Sequence, residues 1–197
     1  MNHLLSKIGS YPFEKLNLLL KDIKPSKDVI NLSIGEPKLS ADSKVLDILN
    51  KEANSFSNYP PMNAVPELSE AYRQYLKNHF GIENVAEDEV CLVAGTREGT
   101  FSIIQALFNK ENVKEKPYVV MPNPFYQIYG GATTLAGGEA KFLDCPEEDN
   151  FQPDLDSLKS EDWQKCQILV LCSPNNPTGS VLTLSLIHIS EPTRRWS

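Results

Sequence analysis

The chain has 197 residues, 41% of them hydrophobic and 23% charged, with a formal net charge of -7. That is enough for a sizeable apolar core, and the acidic balance without a basic patch argues against nucleic acid as the main partner. No run is long enough to span a membrane; residues 1–11 hold no long apolar stretch, so no signal peptide is expected there, and no metal site is expected.

In chain order, residues 12–23 carry Phe13, Leu16, Leu19, Leu20 and Ile23 at helical spacing. Residues 29–33 read as a short extended segment leading into Gly35-Glu36-Pro37. A helix is expected over about 41–53, with Val45, Leu46 and Leu49 inward. Tyr59-Pro60-Pro61 is a loop. Pro66 suits a first helical position, and Leu68, Ala71, Tyr72, Tyr75, Leu76 and Phe80 form the apolar stripe of the following helix, closed by Gly81.

Strand and helix then alternate. Strands are expected at 90–94, 118–121 (broken by Pro122 and Pro124), 141–144 and 167–172, with a helix over Phe101, Ile104, Gln105 and Phe108. Apolar strands separated by helices imply an α/β fold with a mostly parallel sheet. Cys91, Cys145, Cys166 and Cys172 form no C-x-x-C pair and read as reduced core thiols of a cytoplasmic protein.

Residues 184–194 have neither the periodicity nor the chemistry of what precedes them. Residue for residue they resemble the translation of a sequencing-library transposase adapter. Residues 184–197 are therefore expected to be a non-native tail.

Three strand-end segments carry chemistry. Gly95-Thr96-Arg97 opens a helix, where a glycine permits close backbone approach and the free N–H groups form a phosphate seat; a plain strand-to-helix turn has the same pattern. Pro122-Asn123-Pro124-Phe125-Tyr126 holds an aromatic whose face suits a planar ligand, or simple packing over the sheet edge. Ser173-Pro174-Asn175-Asn176-Pro177-Thr178-Gly179 is an ordinary turn, or a rigid frame for an amide donor. Carboxyl ends of parallel strands are where such folds bind ligands. The three together suit a flat, phosphorylated aromatic cofactor.

The segment 173–179, with Ser33-Ile34-Gly35-Glu36-Pro37, Tyr59-Pro60-Pro61 ahead of Pro66-Glu67-Leu68, and Gly95-Thr96-Arg97-Glu98-Gly99, resembles the class I pyridoxal-phosphate-dependent aminotransferases over residues 11–181. Within that family the chain is most similar to succinyldiaminopimelate aminotransferases, through residues 11–16, 33–38 and 119–129 and Trp163 with Cys166-Gln167.

The resemblance implies a PLP-transferase fold of type I: an N-terminal arm and the start of a small domain over 1–40, and the front of the cofactor-binding large domain over 41–183. It implies that Gly95, Thr96 and Arg97 hold the cofactor phosphate, that Tyr126 stacks on the pyridine ring, and that Asn176 hydrogen-bonds the ring hydroxyl oxygen. Tyr59 would reach the phosphate in the partner subunit of a homodimer, and Gly35 would lie by the substrate carboxylate. Pro124 and Pro177 match positions where related enzymes have cis peptides. Ala64 stands where glycine is common.

The implied reaction moves an amino group from glutamate to N-succinyl-2-amino-6-oxopimelate, in lysine and diaminopimelate biosynthesis. No lysine follows Lys165, so the Schiff-base lysine of the family is missing. The 197-residue product is expected to lack a catalytic residue and to be inactive. The competing readings are a class I enzyme with another amino acid substrate, a related carbon–sulfur lyase, a cofactor-sensing module, and a non-catalytic fragment.

Overall fold

The structure, a computed structural model, describes residues 3–9, 11–36, 39–57, 59, 66–109 and 116–190. Pro37, Lys38, the loop at 60–65 with Ala64, and the tail beyond Ser190 lie outside them. The chain divides into two compact units, residues 12–92 and residues 1–11 with 93–197.

The first unit carries α1 (Pro12–Leu20), α2 (Ser43–Lys51) and α3 (Pro66–Phe80). Asp42 caps α2, its carboxylate accepting from the Lys44 N–H at 2.9 Å. Pro66 opens α3, with Glu67 in its first turn and Lys77 and His79 in its last, matching the helix dipole. At the end of α3, Gly81 takes φ +66°. There its N–H reaches Lys77 O at 3.1 Å and the Ile82 N–H reaches Leu76 O at 3.4 Å.

Helix positions follow the sequence, but burial does not. Val45, Leu46 and Leu49 of α2 and Leu68, Tyr72, Tyr75 and Phe80 of α3 are all exposed rather than inward. Periodicity decides which face of a helix is apolar; burial also needs a second layer against that face.

The second unit carries α4 (Thr96–Leu107), β1 (Tyr118–Asn123), α5 (Ile128–Ala136), β2 (Glu139–Asp144), α6 (Ser160–Gln164), β3 (Cys166–Leu169) and α7 (Leu184–Ser190). The sheet is parallel, in the order β2-β1-β3. The central strand β1 is covered on both faces. Val119, Val120 and Met121 have no exposed surface, and Val119 and Met121 pack with Phe108, Tyr129 and Ala136 in the core. Gln105 of α4 donates to the Ala132 carbonyl of α5 at 2.7 Å, tying the two helices together.

Three strand expectations are corrected. Residues 90–94 form no strand, because no described segment pairs with them. β1 runs through Pro122, opposite Leu143 of β2. β3 ends at Leu169, short of Cys172. The latter two share a cause. The Tyr118 N–H donates to Lys165 O and Val120 O accepts from the Val170 N–H, so alternate residues of β1 face β3. Pro122 is next in that series and has no N–H, so the ladder to β3 stops there.

All four cysteines are free. Cys145 is buried and Cys166 and Cys172 half-buried, but Cys91 is exposed rather than a core thiol. Burial pushes the Cys145 and Cys166 thiols above their ordinary range. The tail-like segment starts as the short helix α7. No described helix is long and apolar enough to cross a membrane.

Candidate functional site

In a parallel sheet every strand delivers its following loop to the same edge, so the loops after β1 and β3 emerge side by side. After β1 the chain passes a cis Asn123–Pro124 bond, then Phe125 and Tyr126, and enters α5. Phe125 packs on Phe142 of β2, ring centroids 5.1 Å apart. Tyr126 is half-buried and meets Tyr129 edge-on, at 5.8 Å and 88°. The loop is thereby anchored on both sides by aromatic contacts.

After β3 comes the turn 173–180. Its Asn176–Pro177 bond is cis, as is Ser173–Pro174, which the sequence comparison had not singled out. The turn is closed by the Asn175 N–H donating to Ser180 O at 2.8 Å and the Gly179 N–H donating to Asn175 O at 2.7 Å. Asn176 is exposed at its tip, while its neighbour Asn175 is buried.

One hydrogen bond joins these loops: Asn175 Nδ2 donates to the Pro124 carbonyl at 3.4 Å. The same nitrogen donates to Thr178 Oγ1 at 3.0 Å. Asn175 was not singled out from the sequence, where the resemblance gave a role to Asn176 alone. Its Oδ1 is buried without a hydrogen-bond partner among the described residues.

At the start of α4, Gly95 takes φ +116°, ψ 145° and has no side-chain cap bond. Its carbonyl accepts the first bond of the helix, from the Gly99 N–H at 3.0 Å. The N–H groups of the preceding turn have no acceptor within the helix. Thr96 and Arg97 are exposed there. A cavity of about 370 Å³ is lined by Arg97, Glu98, Phe101, Ser102 and Ile128. It brings the first turn of α4 beside the start of α5, two residues past Tyr126.

The structure therefore brings Tyr126 and the Asn175-Asn176 turn together and sets Arg97 beside the start of α5. Gly35 and Tyr59 belong to the other unit. Gly35 has open space where a Cβ would stand, and Tyr59 is fully exposed.

A group held by these residues needs a negative charge for the α4 N-terminus, a flat face for Tyr126, and polar ring substituents for Asn176. The unpartnered Oδ1 of Asn175 adds an acceptor within the same turn. This donor and acceptor set fits a phosphorylated aromatic ring. Nearby, Tyr129 has its phenol pushed up to about 12, first by burial and then by a hydrogen bond with the Cys172 side chain. It is therefore a neutral group at physiological pH.

Comparison with known proteins agrees with this chemistry. The family model "Aminotransferase class I and II" matches residues 27–189. An LL-diaminopimelate aminotransferase of Natranaerobius thermophilus is 28% identical over 182 residues, covering 91% of this chain and 46% of that protein. LL-diaminopimelate aminotransferase 2 of a Nostoc species is 31% identical over 192 residues, covering 93% and 47%. A crystal structure of an aminotransferase from Neisseria meningitidis superposes with a TM-score of 0.85 at 39% identity, covering 94% and 47%. The chain thus spans about half the length of the relatives it matches. The chain belongs to the class I and II aminotransferases, a family dependent on pyridoxal 5′-phosphate.

Proposed function

We propose that this chain is the cofactor-binding front portion of a cytoplasmic aminotransferase of diaminopimelate and lysine biosynthesis. The single observation that carries the reading is the joining of the Tyr126 loop to the Asn176 turn at the ends of adjacent parallel strands. When bound, pyridoxal 5′-phosphate supplies the electron sink that amino-group transfer needs. The N–H groups at the start of α4, with the Thr96 hydroxyl and the backbone of Gly95 and Arg97, hold its phosphate. Tyr126 stacks on the ring. The Asn176 amide donates to the ring oxygen and favours its anionic form. Gly35 lies by the substrate carboxylate, and Tyr59 reaches the phosphate of a partner subunit in a homodimer.

For the substrate, we favour transfer from glutamate to N-succinyl-2-amino-6-oxopimelate. The names of the relatives support a diaminopimelate-type substrate. The succinylated form rests on residues 11–16, 33–38 and 119–129 and on Trp163 with Cys166-Gln167.

The first test is to resequence the DNA from the Asn176 codon with a library free of transposase adapters. A frame running past Thr183 into a Ser-x-x-Lys-type segment supports amino transfer; a genuine stop at Ser197 overturns it. The product of the continuing frame is then given succinylated diaminopimelate or LL-diaminopimelate as amino donor to 2-oxoglutarate, and glutamate release is measured. Preference for the unsuccinylated donor overturns the substrate assignment while leaving the reaction class intact.

A further inference from the structure

We propose that Asn175 is a positioning residue: its buried amide ties the loop carrying Tyr126 to the turn carrying Asn176, so that ring stacking and the ring-oxygen hydrogen bond are set as one unit. This rests on the cofactor reading above and adds a residue to it.

The hydrogen-bond directions follow from the partners. The Pro124 carbonyl is only an acceptor, so the atom facing it must be Nδ2 and not Oδ1. Thr178 Oγ1 accepts from the same nitrogen at 3.0 Å and from the Ser180 N–H at 3.3 Å. Both hydrogens of one amide are therefore used, one on a residue 51 positions earlier and one inside its own turn. At 7% exposure the side chain has little water to replace a lost partner.

Asn175 lies next to Asn176, and Pro124 lies two residues before Tyr126. A shift of the amide therefore moves both groups proposed to grip the ring. The start of α4, which would hold the phosphate, is built without Asn175. Loss of the amide should consequently weaken ring binding and spare phosphate binding.

The probe is pyridoxamine 5′-phosphate, which carries an amine in place of the aldehyde and cannot condense with surface lysines. Its binding to the intact chain is followed by its own fluorescence, and inorganic phosphate binding by phosphorus NMR. Asn175→Ala is expected to weaken pyridoxamine 5′-phosphate roughly tenfold and leave inorganic phosphate binding unchanged. Thr178→Val, which removes one acceptor without touching Asn175, should shift the same way, and Thr178→Ser should restore binding.

Unchanged pyridoxamine 5′-phosphate binding in Asn175→Ala and Thr178→Val overturns the positioning role and leaves the cofactor reading standing. Parallel loss of both ligands in both variants also overturns it, because a general loss of structure then explains the data. No binding by the unsubstituted chain overturns the cofactor reading and this inference together.

Discussion

Phe108 lies across Gly138 so closely that a Cβ on Gly138 would stand 2.4 Å from the ring Cζ and 2.8 Å from Cε2. Phe108 follows α4 and belongs to the core, and Gly138 leads into β2, so this contact locks a helix end against the sheet. Gly138→Ala is expected to lower stability by about 1–3 kcal/mol, because the ring is packed and cannot retreat freely. Urea unfolding checks this. Adding Phe108→Leu should recover part of the loss, since the two side chains share one space.

Gly95 has a backbone conformation that residues with a Cβ rarely adopt, at φ +116°. An added Cβ would also stand 2.8 Å from Glu98 Oε2, but that is the end of a side chain that can swing away. Backbone strain therefore dominates, and Gly95→Ala should cost about 1–3 kcal/mol. It should also weaken inorganic phosphate binding in phosphorus NMR, by turning the first N–H groups of α4. Equal stability and equal phosphate binding would contradict both parts.

The phenol of Tyr129 is raised to about 12 by burial and by its hydrogen bond with Cys172. A tyrosine ionises near pH 10 in an unfolded chain. The folded state therefore keeps a proton that the unfolded state releases. The contribution of Tyr129 is fully present below about pH 10 and is lost as pH rises from there through about 12, by on the order of 2–3 kcal/mol. Tyr129→Phe should flatten the fall of the melting temperature with pH over that interval. An ultraviolet titration in which all tyrosines ionise together near pH 10 would contradict the assignment.

Lys141 of β2 and Asp162 of α6 are 3.0 Å apart, Nζ to Oδ1. The hydrogen bond from Lys141 holds the Asp162 carboxyl below the ordinary carboxylate range, and the same bond raises the Lys141 ammonium. A depressed carboxyl stabilises the fold above its unfolded pKa, and that stability is lost as pH falls through the lower, folded value. Asp162→Asn should remove this acid-dependent part of the melting curve below about pH 4. Salt should weaken the pair, which lies near the surface. A melting temperature with the same acid dependence in both proteins would rule it out.

Much of this was legible in the chain itself. Helix ends were readable from Pro66 and Gly81 because capping is local: a fixed φ or a missing Cβ acts within one turn of backbone. The buried central strand was readable from Tyr118-Val119-Val120-Met121, since a strand covered on both faces must be apolar throughout. The nearness of the Tyr126 loop to the 173–179 turn was legible only as two segments that each end a strand of one parallel sheet.

Other features depended on contacts between distant residues. Residues 90–94 are apolar enough for a strand, yet a strand exists only if another segment accepts its hydrogen bonds, and no described segment does. The apolar stripes of α2 and α3 are correctly placed on their helices and still exposed, because burial belongs to two surfaces and not to one. The end of β3 was set by Pro122 on the neighbouring strand. The contact of the Asn175 amide depended on Pro124, 51 residues earlier. Sequence alone determined the local backbone and the residue chemistry, because those forces act along the chain. The tertiary structure decided pairing, burial and the clamp between the loops, because a hydrogen bond or a packed face needs a partner that folding brings from elsewhere.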